Sequence, residues 1–148
     1  MLNRFTMASL MLISGLVPAQ AQDPAAPPAG GFAALVAAAD PIKGQASAKK
    51  CVACHSFEEG GAQKVGPNLW AVVGRPVASV PEYKYSEAMV AYSQGGTKLW
   101  TIEELDAYLL NPRQHVPGTK MAFPGLRTDE ERANMIAYLG TLGAAPAQ

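Results

Sequence analysis

The chain has 148 residues and balances 12 basic against 12 acidic side chains, which leaves room for one small domain and supplies no bulk charge for holding nucleic acid. It has no long block of like charges, so no basic or acidic interaction tail is expected. Its two cysteines stand three positions apart; a bridge between them would close a very short loop and staple nothing distant, which excludes a disulfide framework.

Met1 to Ala21 places Arg4 ahead of an apolar run from Phe5 to Val17, broken by Pro18 and followed by Ala19-Gln20-Ala21. This is the layout of a secretory signal. The run falls short of the ~20 residues that a spanning helix needs, so cleavage before Gln22 is expected. Cleavage removes Arg4 and leaves a single acid in excess. Residues 22–40 read as an Ala/Pro-rich linker or N-terminal extension. Asp23 to Gly31 has linker composition; Gly31 to Ala39 is small and apolar, suited either to lying on the domain or to associating with something else. The domain proper is expected over residues 41–143, with 144–148 as a short tail.

Within the domain, Asp40 caps a helix whose first residue is Pro41 and which should run to about Val52. Its apolar content is thin (Ile42, Ala46, Ala48), so it needs a large apolar surface to pack on. Ser56 to Gly66 is polar and holds Gly60-Gly61, which predicts a loop, and Gly66-Pro67-Asn68 is a turn signal. Leu69 to Val73 predicts one helical turn before Gly74, and Ser86 to Tyr92 a short helix ended by Gly95-Gly96. Thr101-Ile102-Glu103-Glu104 is a capping box in which Glu104 should reach back to the start of a helix running to about Leu110. Pro112 stops that helix. Asn111 to Arg127, rich in Pro and Gly, predicts a long non-helical loop of the kind that carries function. Thr128-Asp129-Glu130-Glu131 repeats the capping device before a last helix with Met135, Tyr138, Leu139 and Leu142 on one stripe. No segment alternates as a strand does. The fold class predicted is all-α with large loops.

Cys51-Val52-Ala53-Cys54-His55 is the attachment signature of c-type haem. Two thiols about one helical turn apart can each add to a vinyl group at the haem edge, and the adjacent His55 can give a nitrogen to the iron. A thioredoxin-like redox pair would want a βαβ setting, and a zinc site would want four ligands; neither is offered. A secretory signal leads to the compartment where such haem is attached. The haem would also complete a marginal core: burying several hundred Å² of porphyrin contributes on the order of 10 kcal/mol, so the chain without it should be poorly folded.

The sixth ligand decides what such a site does. The candidates are His115, Met89, Met121 and Met135. Met135 sits on the apolar stripe of the last helix and reads as core. Met89 reads as core or haem contact, and His115 as a surface or hydrogen-bonded loop histidine. Met121 lies in Pro117-Gly118-Thr119-Lys120-Met121-Ala122-Phe123-Pro124-Gly125, where prolines and glycines on both sides fix an extended loop that can hold a thioether on iron. His55/Met121 ligation leaves no open position and, with a soft thioether, favours ferrous iron and a raised potential.

In order along the chain stand Lys64-Val65-Gly66-Pro67-Asn68-Leu69, Gly74-Arg75, Tyr83-Lys84-Tyr85, Trp100, Tyr108-Leu109-Leu110-Asn111-Pro112, Pro117-Gly118-Thr119-Lys120-Met121 and Ile136-Ala137-Tyr138-Leu139. With the attachment signature, this set resembles the class I c-type cytochromes of the small mitochondrial and bacterial type, over nearly the whole domain. The resemblance implies a monohaem fold of helices and long loops. It implies that the Pro67 carbonyl accepts a hydrogen bond from the axial histidine, and that Arg75, Tyr85 and Trp100 hold the buried propionates. It further implies that Tyr108 and Thr119 place hydroxyls near the methionine sulfur and the inner propionate, and that Phe123 lies beside the exposed haem edge. Three departures stand out. Ala48 replaces an aromatic in the first helix, so its crossing with the last helix near Gly44 and Tyr138 should be looser. Met89 replaces an asparagine. Ala88 to Lys98 is longer than in the mitochondrial proteins.

The reading of the sequence is a monomeric periplasmic single-electron carrier with one covalent haem c, and not an enzyme. It would shuttle electrons from a quinol-oxidising membrane complex to a terminal oxidase, a reductase or a photosynthetic centre. Its surface lysines are diluted by acids, so a weaker electrostatic docking ring around the haem edge is expected, giving salt-sensitive on-rates. The alternatives are a haem enzyme or gas sensor with an open sixth site, and a carrier tethered by a retained signal segment.

Overall fold

A computed structural model describes residues 30–143; the segment read as a secretory signal, most of that read as a linker and the tail at 144–148 lie outside the described residues. Six α-helices follow one another: α1 Gly31–Ala37, α2 Pro41–Ala48, α3 Glu87–Tyr92, α4 Ile102–Leu110, α5 Pro112–His115 and α6 Asp129–Gly140, with a single 3₁₀ turn at Gln94–Gly96. The fold is all-α. Its one β-type pairing among the described residues is an isolated bridge between Pro76 and Leu99. None of the described helices is long and apolar enough to cross a membrane.

Local chemistry sets the helix starts. The Asp40 side chain accepts from the backbone N–H of Ile42 and Lys43 at the start of α2, and Pro41 opens that helix. Ser86, Thr101, Asn111 and Thr128 cap α3, α4, α5 and α6 in the same way, each satisfying a first-turn donor that has no partner within the helix. Both capping boxes are half-made. The threonine hydroxyls accept as expected, but Glu104 turns to Lys98 and Tyr92, and Glu131 turns to Lys50 and Ser47. Charged tertiary partners outcompete a single backbone N–H.

Three other local expectations give way. Helix α2 ends at Ala48, not near Val52, because the chain tightens there into i→i+3 bonds: Lys50 to Ser47 at 3.0 Å and Cys51 to Ala48 at 2.8 Å. Leu69 to Val73 is a run of turns, since Ala71 takes a positive φ of 52° and its N–H donates to the Leu142 carbonyl beyond α6. The segment after Pro112 is not wholly irregular: Asn111 caps the one-turn helix α5, which proline suits at its first position.

Helix α6 is the axis of the domain. Its residues Arg132 to Ile136 are all buried, because α1, α2 and α4 pack around it. Helix α1, with Phe32 and Val36 against the core, lies on the domain. Arg132, only 4% exposed, is fully engaged: it binds Asp106 of α4 and Asp129, donates to the Leu126 carbonyl at 3.0 Å, and faces the Phe32 ring.

The crossing of α2 over α6 is close, not loose. A Cβ on Gly44 would fall 1.9 Å from the Asn134 carbonyl oxygen and 2.7 Å from Tyr138 Cβ, so two backbones touch where any side chain would hold them apart. The Asn134 side chain accepts from the Asp40 N–H at 2.8 Å. Phe57, from the loop after the cysteines, packs its ring on Tyr138. Gly44→Ala should therefore destabilise the haem-loaded protein by about 2 kcal/mol or more through overpacking, read as a lowered thermal midpoint; an unchanged midpoint would contradict this account of the crossing.

Candidate cofactor site

The turns after α2 carry the cysteines and histidine. Cys54 N–H and His55 N–H both donate to the Cys51 carbonyl, at 3.0 and 2.9 Å, which winds the pentapeptide into about one turn. The two cysteines are not bridged to each other; Cys51 is half-buried and Cys54 exposed. Burial pushes the Cys51 thiol pKa up, against the pull of neighbouring Lys50.

His55 is fixed by the loop that follows. Its Nδ1–H donates to the Pro67 carbonyl at 2.7 Å, which leaves Nε2 as the free lone pair. Burial lowers the pKa of this imidazole, the Pro67 bond opposes that, and Lys64 adds to the lowering. The neutral ring is the ligating form. Pro67 is held in turn by the buried Asn68, whose amide nitrogen donates to Ser56 Oγ and to the carbonyls of Glu58 and Gly61, while its oxygen accepts from Trp70 N–H at 2.7 Å. Gly66 lies flat against the imidazole: a Cβ there would come 2.3 Å from His55 Cε1.

These residues open onto an apolar cavity of about 300 Å³. Of the eleven residues expected at the site, ten line it: Cys51, Cys54, His55, Pro67, Tyr85, Trp100, Tyr108, Thr119, Met121 and Phe123. Trp100 packs on Tyr108 with ring centroids 5.0 Å apart. Tyr108 and Thr119 share a hydroxyl–hydroxyl hydrogen bond of 2.8 Å, and Thr119 Oγ1 accepts from the Met121 N–H at 3.3 Å. The Tyr85 hydroxyl accepts from Val80 N–H at 3.3 Å. Lys120 Nζ donates to the carbonyls of Lys84 and Tyr85, tying the methionine loop to the tyrosine loop.

Arg75 is the exception. It stands beside the cavity, its carbonyl accepting from the Trp100 N–H, but outside the lining. Its terminal nitrogens donate to the carbonyls of Trp70 and Asn68 at 2.7 and 3.0 Å. Its Nε is the one buried side-chain polar atom, among the described residues, with no hydrogen-bond partner, and burial depresses the guanidinium pKa. A buried donor left unpaired costs about 1–3 kcal/mol, a cost that a carboxylate of a bound group would remove.

Several wall residues had no role assigned from sequence: Leu69, Val72, Leu105, Leu109 and Leu139. For Leu139 the signal was present as the apolar stripe of the last helix, read only as a core face. Met89, read as core or cofactor contact, and Met135, read as core, are both buried and both line the cavity. His115, the remaining candidate ligand, lies outside the wall.

Two thiols and an imidazole on one turn, a thioether in the same wall, apolar sides and an unpaired buried guanidinium N–H fit a haem. The arrangement defines the class: a small helical protein built to hold one haem through its own side chains. The model of the family described as cytochrome c matches residues 41–143, and the chain belongs to that family as a class I c-type cytochrome. It is 44% identical over 128 residues to a cytochrome c homolog of Bradyrhizobium diazoefficiens, covering 79% of this chain and 66% of that protein. It is 43% identical to a cytochrome c homolog of Rickettsia bellii, covering 72% of this chain and 60% of that protein. A cytochrome c2 of Agrobacterium tumefaciens is 46% identical over 101 residues, 68% of this chain and 89% of that protein. The chain thus spans less than two thirds of the two homologs and most of the cytochrome c2. It carries one covalent haem c, the cofactor of its family, and Cys51 and Cys54 fit the attachment motif.

Gly66→Ala tests the histidine cradle. It should displace the imidazole, lower thermal stability by about 1–3 kcal/mol and move the paramagnetically shifted His55 ring resonances. Unchanged stability and resonances would show that Gly66 does not constrain the ring.

Proposed function

We propose that this protein is a mobile single-electron carrier of the periplasm, ligating its haem through His55 and Met121. It would accept electrons from a quinol-oxidising membrane complex and deliver them to a terminal oxidase, a reductase or a photosynthetic centre, acting as a monomer and making or breaking no substrate bond. The observation that carries this reading is the presence of His55 and Met121 in the wall of one apolar cavity.

The haem iron supplies reversible one-electron chemistry when bound there. The chain's own residues keep the change in geometry small. The Pro67 carbonyl holds the His55 ring in one tautomer and raises its basicity. The Met121 backbone is tied to Thr119, and Thr119 to Tyr108, so the thioether is offered from a fixed loop. Leu105, Leu109 and Leu139 exclude water from the cavity, and Arg75, Tyr85 and Trp100 are assigned to the propionates. Phe123 and Ala122 would stand near the edge through which electrons pass.

Docking should depend only weakly on salt. Among the described residues, three of the lysines are already engaged by acids: Lys43 with Glu130, Lys50 with Glu131, and Lys98 with Glu104. Lys64 and Lys120 donate to backbone carbonyls, keeping their charge but losing reach.

The competing reading, a haem enzyme or gas sensor, needs an open sixth position. Spectra of both oxidation states, with and without carbon monoxide, separate the two. The carrier should show the weak methionine–ferric charge-transfer band and refuse carbon monoxide at neutral pH. Met121→Ala should lose the band and bind the gas. Ready binding by the unmodified protein would favour the enzyme or sensor.

A further inference from the structure

Outside the cavity wall, three side chains from three helices meet: Tyr92 from α3, Glu104 from α4 and His115 from the end of α5. The Tyr92 hydroxyl donates to Glu104 Oε2. His115 Nε2 lies 2.5 Å from that hydroxyl oxygen and 3.3 Å from the same carboxylate oxygen. A phenol has one proton to give. With that proton directed at Glu104, the hydroxyl oxygen is free to accept from His115 Nε2–H. Lys98 completes the group, 2.7 Å from Glu104 Oε1 and 4.5 Å above the Tyr92 ring. Burial would raise the Glu104 pKa, but hydrogen bonds from Lys98, Tyr92 and His115 outweigh it and hold the group ionised.

The cluster joins elements that could not hold themselves. Helix α3 has six residues and α5 four, too short to stand without tertiary contacts. Both are fastened to α4. The position of His115 gives the fastening a further consequence. Buried Val116 follows it directly, then Thr119, whose hydroxyl binds Tyr108, and then Met121. At the far end of the same loop the Leu126 N–H donates to the Leu109 carbonyl at 2.8 Å. The methionine segment is thus clamped to α4 at both ends, downstream by backbone and upstream by side chains.

We infer that Tyr92, Glu104 and His115 are positioning residues for the sixth ligand: their bridge is the upstream clamp that keeps the Met121 thioether in place and the iron closed to outside ligands. The inference rests on the His55/Met121 reading. It also gives the long Ala88–Lys98 stretch a task, since Tyr92 and Lys98 both come from it.

Exogenous imidazole competes with the thioether for ferric iron, so its apparent affinity reports how often the loop lets go. The holoprotein would be titrated with imidazole while the methionine–ferric band is followed, beside denaturant unfolding of the same variants. Tyr92→Phe removes only the hydroxyl, His115→Leu removes the ring nitrogens, and His115→Gln keeps an N–H donor. Tyr92→Phe and His115→Leu should each tighten imidazole binding about fivefold, the weight of roughly one hydrogen bond, while His115→Gln stays within about twofold of the parent. Unchanged affinity in both Tyr92→Phe and His115→Leu would overturn the inference. So would tightening that His115→Gln fails to rescue and that merely tracks loss of global stability. A parent protein without the band would overturn the Met121 assignment, and the clamp with it, before any variant is compared.

Discussion

The rest of the structure depends on one constraint: side chains of α3, α4 and α6 and of the loops between them converge on one apolar cavity. Leu105 and Leu109 of α4, Met135 and Leu139 of α6, and Met89 of α3 are all buried, and all face that cavity. Side chains lining such a space gain full dispersion contact only when its centre is occupied, and a domain of this size has little apolar area to spare. The thin apolar content of α2 follows from the same constraint. That helix buries only Gly44 and Ala48, and its task is to bring Cys51 and Cys54 to the edge of the cofactor from a rigid seat on α6.

Rigidity around the cavity comes from polar groups placed where backbone would otherwise be loose. Asn68 gathers the turns on both sides of Pro67, Arg132 joins α6 to α4 and the Leu126 turn, and Thr119 links the methionine loop to Tyr108. Each is satisfied by several partners, the condition under which a buried polar group specifies one structure instead of weakening it. On the proposed carrier reading this rigidity is useful, because a site that moves little between oxidation states loses little energy to reorganisation. The one exception among the described residues is Arg75 Nε, a buried donor with no hydrogen-bond partner.

What could be read in the sequence was what is local or covalent in origin. Asp40, Thr101 and Thr128 announce their helices because a cap needs only its own first turn. The pentapeptide Cys51 to His55 announces the haem because spacing alone fixes its chemistry. Ten of the eleven expected site residues line one cavity because they arrived as a set in family order. The misses are long-range. Glu104 looked like a capping partner of Thr101, yet its true partners, Tyr92, Lys98 and His115, lie on other elements. Ala71 looked helical until the Leu142 carbonyl drew its N–H away. The early end of α2 likewise reflects where the cysteines must point, a demand that helix propensity does not encode.

The central claim is that the cofactor is the middle of the core and not a passenger in it. The most direct measurement is cooperative unfolding of the Cys51→Ala/Cys54→Ala chain, prepared without attached haem and followed by near- and far-ultraviolet circular dichroism beside the holoprotein. The account predicts residual helix, no fixed near-ultraviolet signal and no sharp thermal transition. A sharp transition with a native-like near-ultraviolet spectrum would contradict it, and would mean that the helices hold each other without the group they surround.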